Sequence, residues 1–354
     1  MSPSLHQPRG HDDHRPIRAW LYAVAGLVAL TAIVGAATRL TGSGLSITEW
    51  NVIGGMVPPL NDAQWTLAFD KYRQIPQYRE INRGMSLDAF KVIFWWEWAH
   101  RMLARFIGAA FAVPLIVFAL LGRLPSGFMP RLMALLGLGA LQGFVGWYMV
   151  SSGLVDRTDV SQYRLALHLG LAVLIFALLI WTALDLSARQ RASMDLKTIT
   201  RRGWIAAHGV LGLVYLQVLA GALVAGLKAG RTHNTWPLMD GALMPAGLMQ
   251  QSPWWCNLFE NATTVQFNHR ALAYVIVGVG LWHAWAMAQT ADAARVRHTA
   301  MAVGALVVAQ TMLGIWTLLA WVPLWLGVVH QIGALATVAA AVAHVHALRT
   351  TARA

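Results

Sequence analysis

Eight apolar runs of about twenty residues, separated by short charged pieces or by two long loops, leave this chain very few possible folds. They fall at about 18–38, 92–121, 131–151, 164–184, 203–226, 267–288, 299–321 and 325–347. A run of that length crosses the hydrocarbon core as a helix, because lipid offers the backbone no other hydrogen-bond partners. The expected fold is an all-α membrane protein with eight transmembrane helices. Composition agrees, with 57% hydrophobic and 12% charged residues, about half the charge of an average soluble chain. The net charge of +12 does not require nucleic acid, since basic residues of membrane proteins gather in cytoplasmic loops and beside anionic lipid. The single cysteine, Cys256, excludes an internal disulfide and a thiolate metal cluster.

Residues 1–17, with His6, His11, Asp12, Asp13 and His14, read as a solvated tail. The first apolar run is long enough to span and is followed by no small-residue cleavage site, so it is expected to stay as a membrane helix. The long loops, 39–91 and 227–266, both follow odd-numbered spans and therefore share one side. The side holding both termini carries fourteen Lys and Arg against five acids; the other carries ten against nine, mostly in the long loops, which count little. Both termini are thus expected in the cytoplasm.

Residues 18–185 and 203–348, joined by a linker at 186–202 and followed by a tail at 349–354, repeat one pattern. His100-Arg101-x-Leu103-Ala104 matches His269-Arg270-x-Leu272-Ala273, and His168 matches His330. Gln142-x-x-x-Gly146 matches Gln310-x-x-x-Gly314; Gln217-x-x-x-Gly221 and Thr31-x-x-x-Gly35 echo it. The glycines read as positions where helices approach closely. Four spans per half keep both halves in one orientation, which predicts two parallel-repeat four-helix bundles.

Of 13 histidines, His100, His168, His269 and His330 are the four at matched positions. Each half then holds two imidazoles at similar depth on two helices, an arrangement that grips a haem iron from both sides. A lone membrane histidine is more often a satisfied core residue; repetition in both halves favours the haem. Zinc would need further ligands. His208, His283, His344 and His346 have no repeat partners and read as interfacial or structural, while His233 is either solvated or a partner of a haem propionate. Arg101 and Arg270 follow two of the matched histidines, and a guanidinium fork suits a propionate; the alternative is snorkelling to headgroups. Arg39, Trp50, Arg231 and Trp236 are further candidates for that role. The halves differ at one telling position, where Glu97 in the first stands as Gln266 in the second. A carboxyl buried in apolar surroundings holds its proton more tightly, which suits an acid or base near neutrality. The competing reading pairs Glu97 with Arg101 one turn on.

Glu97-Trp98-Ala99-His100-Arg101 and the loop stretch Glu49-Trp50-Asn51-Val52-Ile53-Gly54-Gly55-Met56-Val57-Pro58-Pro59 resemble the haem A synthase family. Thr235-Trp236-Pro237-Leu238-Met239-Asp240-Gly241, Asn268-His269-Arg270 and His330-Gln331-x-Gly333 extend the resemblance over about 18–348. It implies a multi-pass oxidoreductase of the bacterial inner membrane with periplasmic long loops. Its implied reaction oxidises the C8 methyl of haem O to a formyl group, with water as oxygen source, giving haem A for terminal cytochrome oxidase. It further implies a haem b cofactor held by His269 and His330, substrate haem O flanked by His100 and His168, and Glu97 as catalytic acid. Implied partners are membrane lipid, the enzyme that makes haem O, cytochrome oxidase assembly factors, and an electron acceptor the sequence does not identify. With one cysteine, the chain resembles the cysteine-poor branch of proteobacteria and mitochondria, for which no thiol role is expected. A di-haem b electron-transfer protein would explain the histidine pairs but not the Glu97/Gln266 difference; a parallel-repeat transporter would line a pathway with Glu97 and Arg101.

Overall fold

A computed structural model of the chain describes residues 14–51, 54–155, 157–189 and 201–352. Residues 1–13 of the expected tail, 190–200 of the linker and 353–354 of the terminal tail lie outside the described residues. The helices are α1 (Arg15–Leu40), α2 (Asp62–Tyr72), α3 (Pro76–Glu80), α4 (Leu87–Leu120), α5 (Met129–Gly153), α6 (Gln162–Arg189), α7 (Arg201–Gly226), α8 (Asn257–Glu260), α9 (Ala262–Thr290), α10 (Ala294–Leu319) and α11 (Leu324–Ala352). Among the described residues, eight of them are long and apolar enough to cross a membrane: α1, α4, α5, α6, α7, α9, α10 and α11. These coincide with the eight apolar runs, and the chain is an all-α multi-pass membrane protein.

The helices outrun the apolar windows, because a helix ends where its caps are and not where the lipid ends. Ser86 caps α4 by accepting from Ala89 N, so α4 starts at Leu87, ahead of the expected 92. Asn261 caps α9 in the same way through Thr264 N, placing its start at Ala262. The start of α4 carries Phe90, in the added stretch, followed by Ile93 and Phe94, and all three pack with Leu45, Trp65, Phe69, Tyr72 and Ile75 from the first long loop. That loop is therefore a folded cap with its own apolar core, and α2 and α3 lie within it.

In the first half α1 packs on α4 and α6, and α5 on α4 and α6; in the second, α7 packs on α9 and α11, and α10 on α9 and α11. Between halves, α6 meets α7 and α11, and α1 meets α11. Valines and leucines fill this seam, among them Val173, Leu179, Val210, Val214, Leu335 and Val338. Close approach across it is visible at Gly170, whose carbonyl accepts from Tyr215 Oη at 3.1 Å. Each seam helix thus packs against the other half on one side and against helices of its own half on others.

Candidate functional site

The four matched histidines share one local arrangement. Each imidazole rests on the glycine of the Thr/Gln-x-x-x-Gly motif of a neighbouring helix. A Cβ on Gly35 of α1 would lie 2.8 Å from His100 Cε1, and one on Gly146 of α5 would lie 3.0 Å from His168 Cε1. The corresponding distances are 3.2 Å from Gly221 of α7 to His269 and 2.9 Å from Gly314 of α10 to His330. These glycines do more than bring helices together, as the sequence suggested; each is a seat that the flat edge of an imidazole occupies and a methyl group would fill.

The first residue of the motif holds the histidine from the other side. Thr31 O lies 3.1 Å from His100 Nδ1, and a carbonyl only accepts, so Nδ1 carries the hydrogen and Nε2 keeps its lone pair. In the other three the glutamine amide donates to the histidine's own backbone carbonyl: Gln142 to His168 O at 3.0 Å, Gln217 to His269 O at 3.0 Å and Gln310 to His330 O at 2.8 Å. Gly333 makes room for this clamp, since a Cβ there would collide with Gln310 Oε1. The Gln142 and Gln310 amides also lie 3.1 Å from Nδ1 of His168 and His330, so the neighbouring helix contacts these rings directly as well.

His168 lies within electrostatic reach of His100, and His269 of His330, so the pairs form within each half. All four histidines lie among the helices and are partly exposed. Among the described residues no group of three or more His, Cys, Asp or Glu side chains is placed to hold a bare metal ion. Two glycine-seated imidazoles in each half fit a centre that brings its own equatorial ligands, as a haem does.

Glu97 is 2% exposed and all its acceptor capacity is engaged. Oε1 accepts from Arg101 Nε at 3.0 Å and Nη2 at 2.5 Å; Oε2 accepts from Ser46 Oγ at 2.7 Å and Ile47 N at 2.8 Å. The ion pair with Arg101 is thus formed, and Arg101 also donates to the carbonyls of Ile47 and Glu49 and sits 5.4 Å from the Trp50 ring. Its guanidinium is committed to Glu97 and the first loop, so in this arrangement no donor pair stands open for a propionate. Ser46 and the Ile47 amide carried no sequence signal, because their role depends on a loop folding back fifty residues later in the chain.

In the second half Gln266 Nε2 donates to His233 O at 3.1 Å, and Arg270 Nη2 donates to Thr235 O. Arg270 Nη1, by contrast, is buried without a hydrogen-bond partner, which is what a guanidinium prepared for an anionic group looks like. Trp236 Nε1 donates to Tyr274 Oη at 3.0 Å. His233 is held by Asp240 Oδ2 at 2.6 Å and Thr263 Oγ1 at 3.1 Å. Arg39 is occupied elsewhere: it pairs with Asp159 and donates to the carbonyls of Ala225 and Gly226 at the end of α7. Arg231 is exposed and reaches Val322 O at 3.4 Å. The remaining buried histidines lie at the opposite ends of the helices, where His283 and His344 share a hydrogen bond of 2.8 Å and His346 meets Asp185 at 3.0 Å.

Comparison with known proteins places these residues in a wider set. A family model described as COX15-CtaA, cytochrome oxidase assembly protein, matches residues 18–342. A protein of Parvibaculum lavamentivorans named "Heme A synthase" is 50% identical over 336 residues, 95% of each chain. Proteins of the same name from Brucella anthropi and Brucella ovis are 52% and 51% identical, covering 94% and 95% of this chain and 92% of their own.

Proposed function

The chain belongs to the COX15-CtaA family of cytochrome oxidase assembly proteins, and on that premise we propose that it makes haem A from haem O in the inner membrane of a bacterium. It is an oxidoreductase. Turning the ring methyl into a formyl group takes in one water oxygen and releases four protons and four electrons: CH3 + H2O → CHO + 4H+ + 4e−.

The observation that carries the division of labour is the glycine-seated imidazole pair in each half, with Glu97 beside one and Gln266 beside the other. His100 and His168 flank the substrate haem O. His269 and His330 would hold a resident haem b, which when bound supplies one-electron transfer toward a further acceptor. Arg270, with Nη1 unpartnered, would receive a propionate of that group. Glu97 would accept protons released at the methyl carbon or orient the incoming water by giving up one of the four donors that now engage it; its neutral counterpart Gln266 has no such capacity. The two halves are parallel repeats, a reading supported by the matching contact pattern of their helices. Both termini are cytoplasmic and both long loops periplasmic, which follows from the distribution of Lys and Arg.

Haem extraction from purified protein, produced together with a haem O-forming enzyme, tests this reading. Haem O or A alongside haem b is the expected result. Two equivalents of haem b and no haem O or A would make the protein an electron carrier instead.

A further inference from the structure

The segment 46–51 of the first long loop runs alongside α4 and is fastened to it at three positions one helical turn apart. Glu97 takes Ser46 Oγ and Ile47 N, Arg101 takes the carbonyls of Ile47 and Glu49, and Arg105 Nη2 donates to Asn51 O at 3.1 Å. Segment 233–236 of the later loop is fastened to α9 at the same three registers, by Gln266, Arg270 and Tyr274. Both halves thus carry a strap beside the histidine helix. The straps differ in what they do to the residue at the first rung. Gln266 only donates to a strap carbonyl, and its Oε1 is buried without a partner. Glu97 instead has one oxygen held wholly by the strap and the other held by Arg101.

We propose that Ser46 is a positioning residue for the reaction, the hydroxyl through which the docked strap aims the Glu97 carboxylate. The proposal rests on reading the first half as the substrate site. Ser46 is 2% exposed and its Oγ also lies 3.2 Å from Ile93 O, one turn before Glu97, so the hydroxyl is centred over this stretch of α4. Removing it leaves Oε2 with the Ile47 amide alone, and the carboxylate is then free to swing about its Cγ–Cδ bond toward Arg101. Undocking the strap removes both Oε2 donors at once.

The test uses the full chain in membranes supplied with haem O, comparing Ser46→Ala and Ser46→Thr. Ser46→Ala is expected to lower kcat about tenfold or more, in the range seen when a group that orients a reacting residue is lost, with little change in KM. Ser46→Thr, which keeps the hydroxyl, is expected to restore most of the rate. Amide hydrogen exchange should rise at 46–49 in Ser46→Ala and stay unchanged at 233–236. Haem b content of the second half reports that the variant is folded. Should Ser46→Ala lack it, Ser46→Cys takes its place, and a rate between wild type and zero is then required. A wild-type rate in Ser46→Ala or Ser46→Cys, or equal impairment by Ala and Thr, overturns the proposal. A wild-type chain that binds haem O and never forms haem A overturns the underlying functional reading instead.

Discussion

Gly146 of α5 lies directly under the imidazole of His168 on α6, so close that a single methyl on the glycine would come within 3.0 Å of the ring. The same relationship joins Gly35 to His100, Gly221 to His269 and Gly314 to His330. The position of each ring is thus set by the absence of a side chain on the helix beside it.

Adding that side chain should evict the ligand of one half only. Gly314→Ala forces the His330 ring aside, at an overpacking cost of about 1–3 kcal/mol, and is expected to lose the second-half haem while the first-half haem stays. Gly35→Ala should do the reverse. Gly139 on α5 faces open space, so Gly139→Ala is expected to retain both. Pyridine haemochrome spectra with chromatography of extracted haems read all three, and a full haem complement in Gly314→Ala would show that the seat is dispensable.

The glutamine clamps should matter to retention more than to folding. Gln310→Leu removes the donor to His330 O, which is expected to cost about 1 kcal/mol of stability and to speed haem loss roughly 10–100-fold. Transfer of haem to an excess of apomyoglobin measures the rate; unchanged transfer would count against the clamp.

Glu97→Gln leaves the Arg101 guanidinium, 11% exposed, without its counter-ion. Breaking a buried pair from one side costs about 3–5 kcal/mol, and removal of a general acid or base costs about 10²–10⁴-fold in rate. Haem O should therefore accumulate and haem A fall, with second-half haem intact. Gln266→Glu places a carboxylate beside Arg270, in competition with the propionate assigned to its Nη1, so second-half haem content is expected to fall and haem A formation with it. Haem analysis of both variants decides; normal haem A in Glu97→Gln would remove the residue from the mechanism.

At the end of the bundle away from the long loops, Asp185 of α6 accepts from Arg131 of α5 at 2.6 Å and meets His346 of α11 at 3.0 Å. Asp185→Asn weakens contacts within the first half and across the seam together. We expect a loss of roughly 1.5–3 kcal/mol, seen as a lower melting temperature in detergent, with the haem ratio unaltered. A melting temperature equal to wild type would mean that the contacts contribute little.

Much of this was legible from residues in order. Apolar run length decides the number of membrane helices, since only a helix satisfies its own backbone in lipid. Matched spacing in the two halves singled out His100, His168, His269 and His330 from the other histidines, and set Glu97 against Gln266. The competing readings of Glu97 could not be separated that way, because an i, i+4 ion pair and a carboxyl facing a substrate have the same spacing. The structure shows the ion pair formed on Oε1, and adds what spacing could not supply, the first loop bringing Ser46 and Ile47 onto Oε2. The glycines were visible as a pattern, but their function as imidazole seats depends on the relative register of two helices, which no single helix encodes. Helix number and ligand candidates were thus determined by local periodicity, which acts within one segment. Ring position, the commitment of Arg101 and the unpartnered Nη1 of Arg270 were decided by tertiary packing, because each depends on which backbone carbonyl or donor a distant segment delivers.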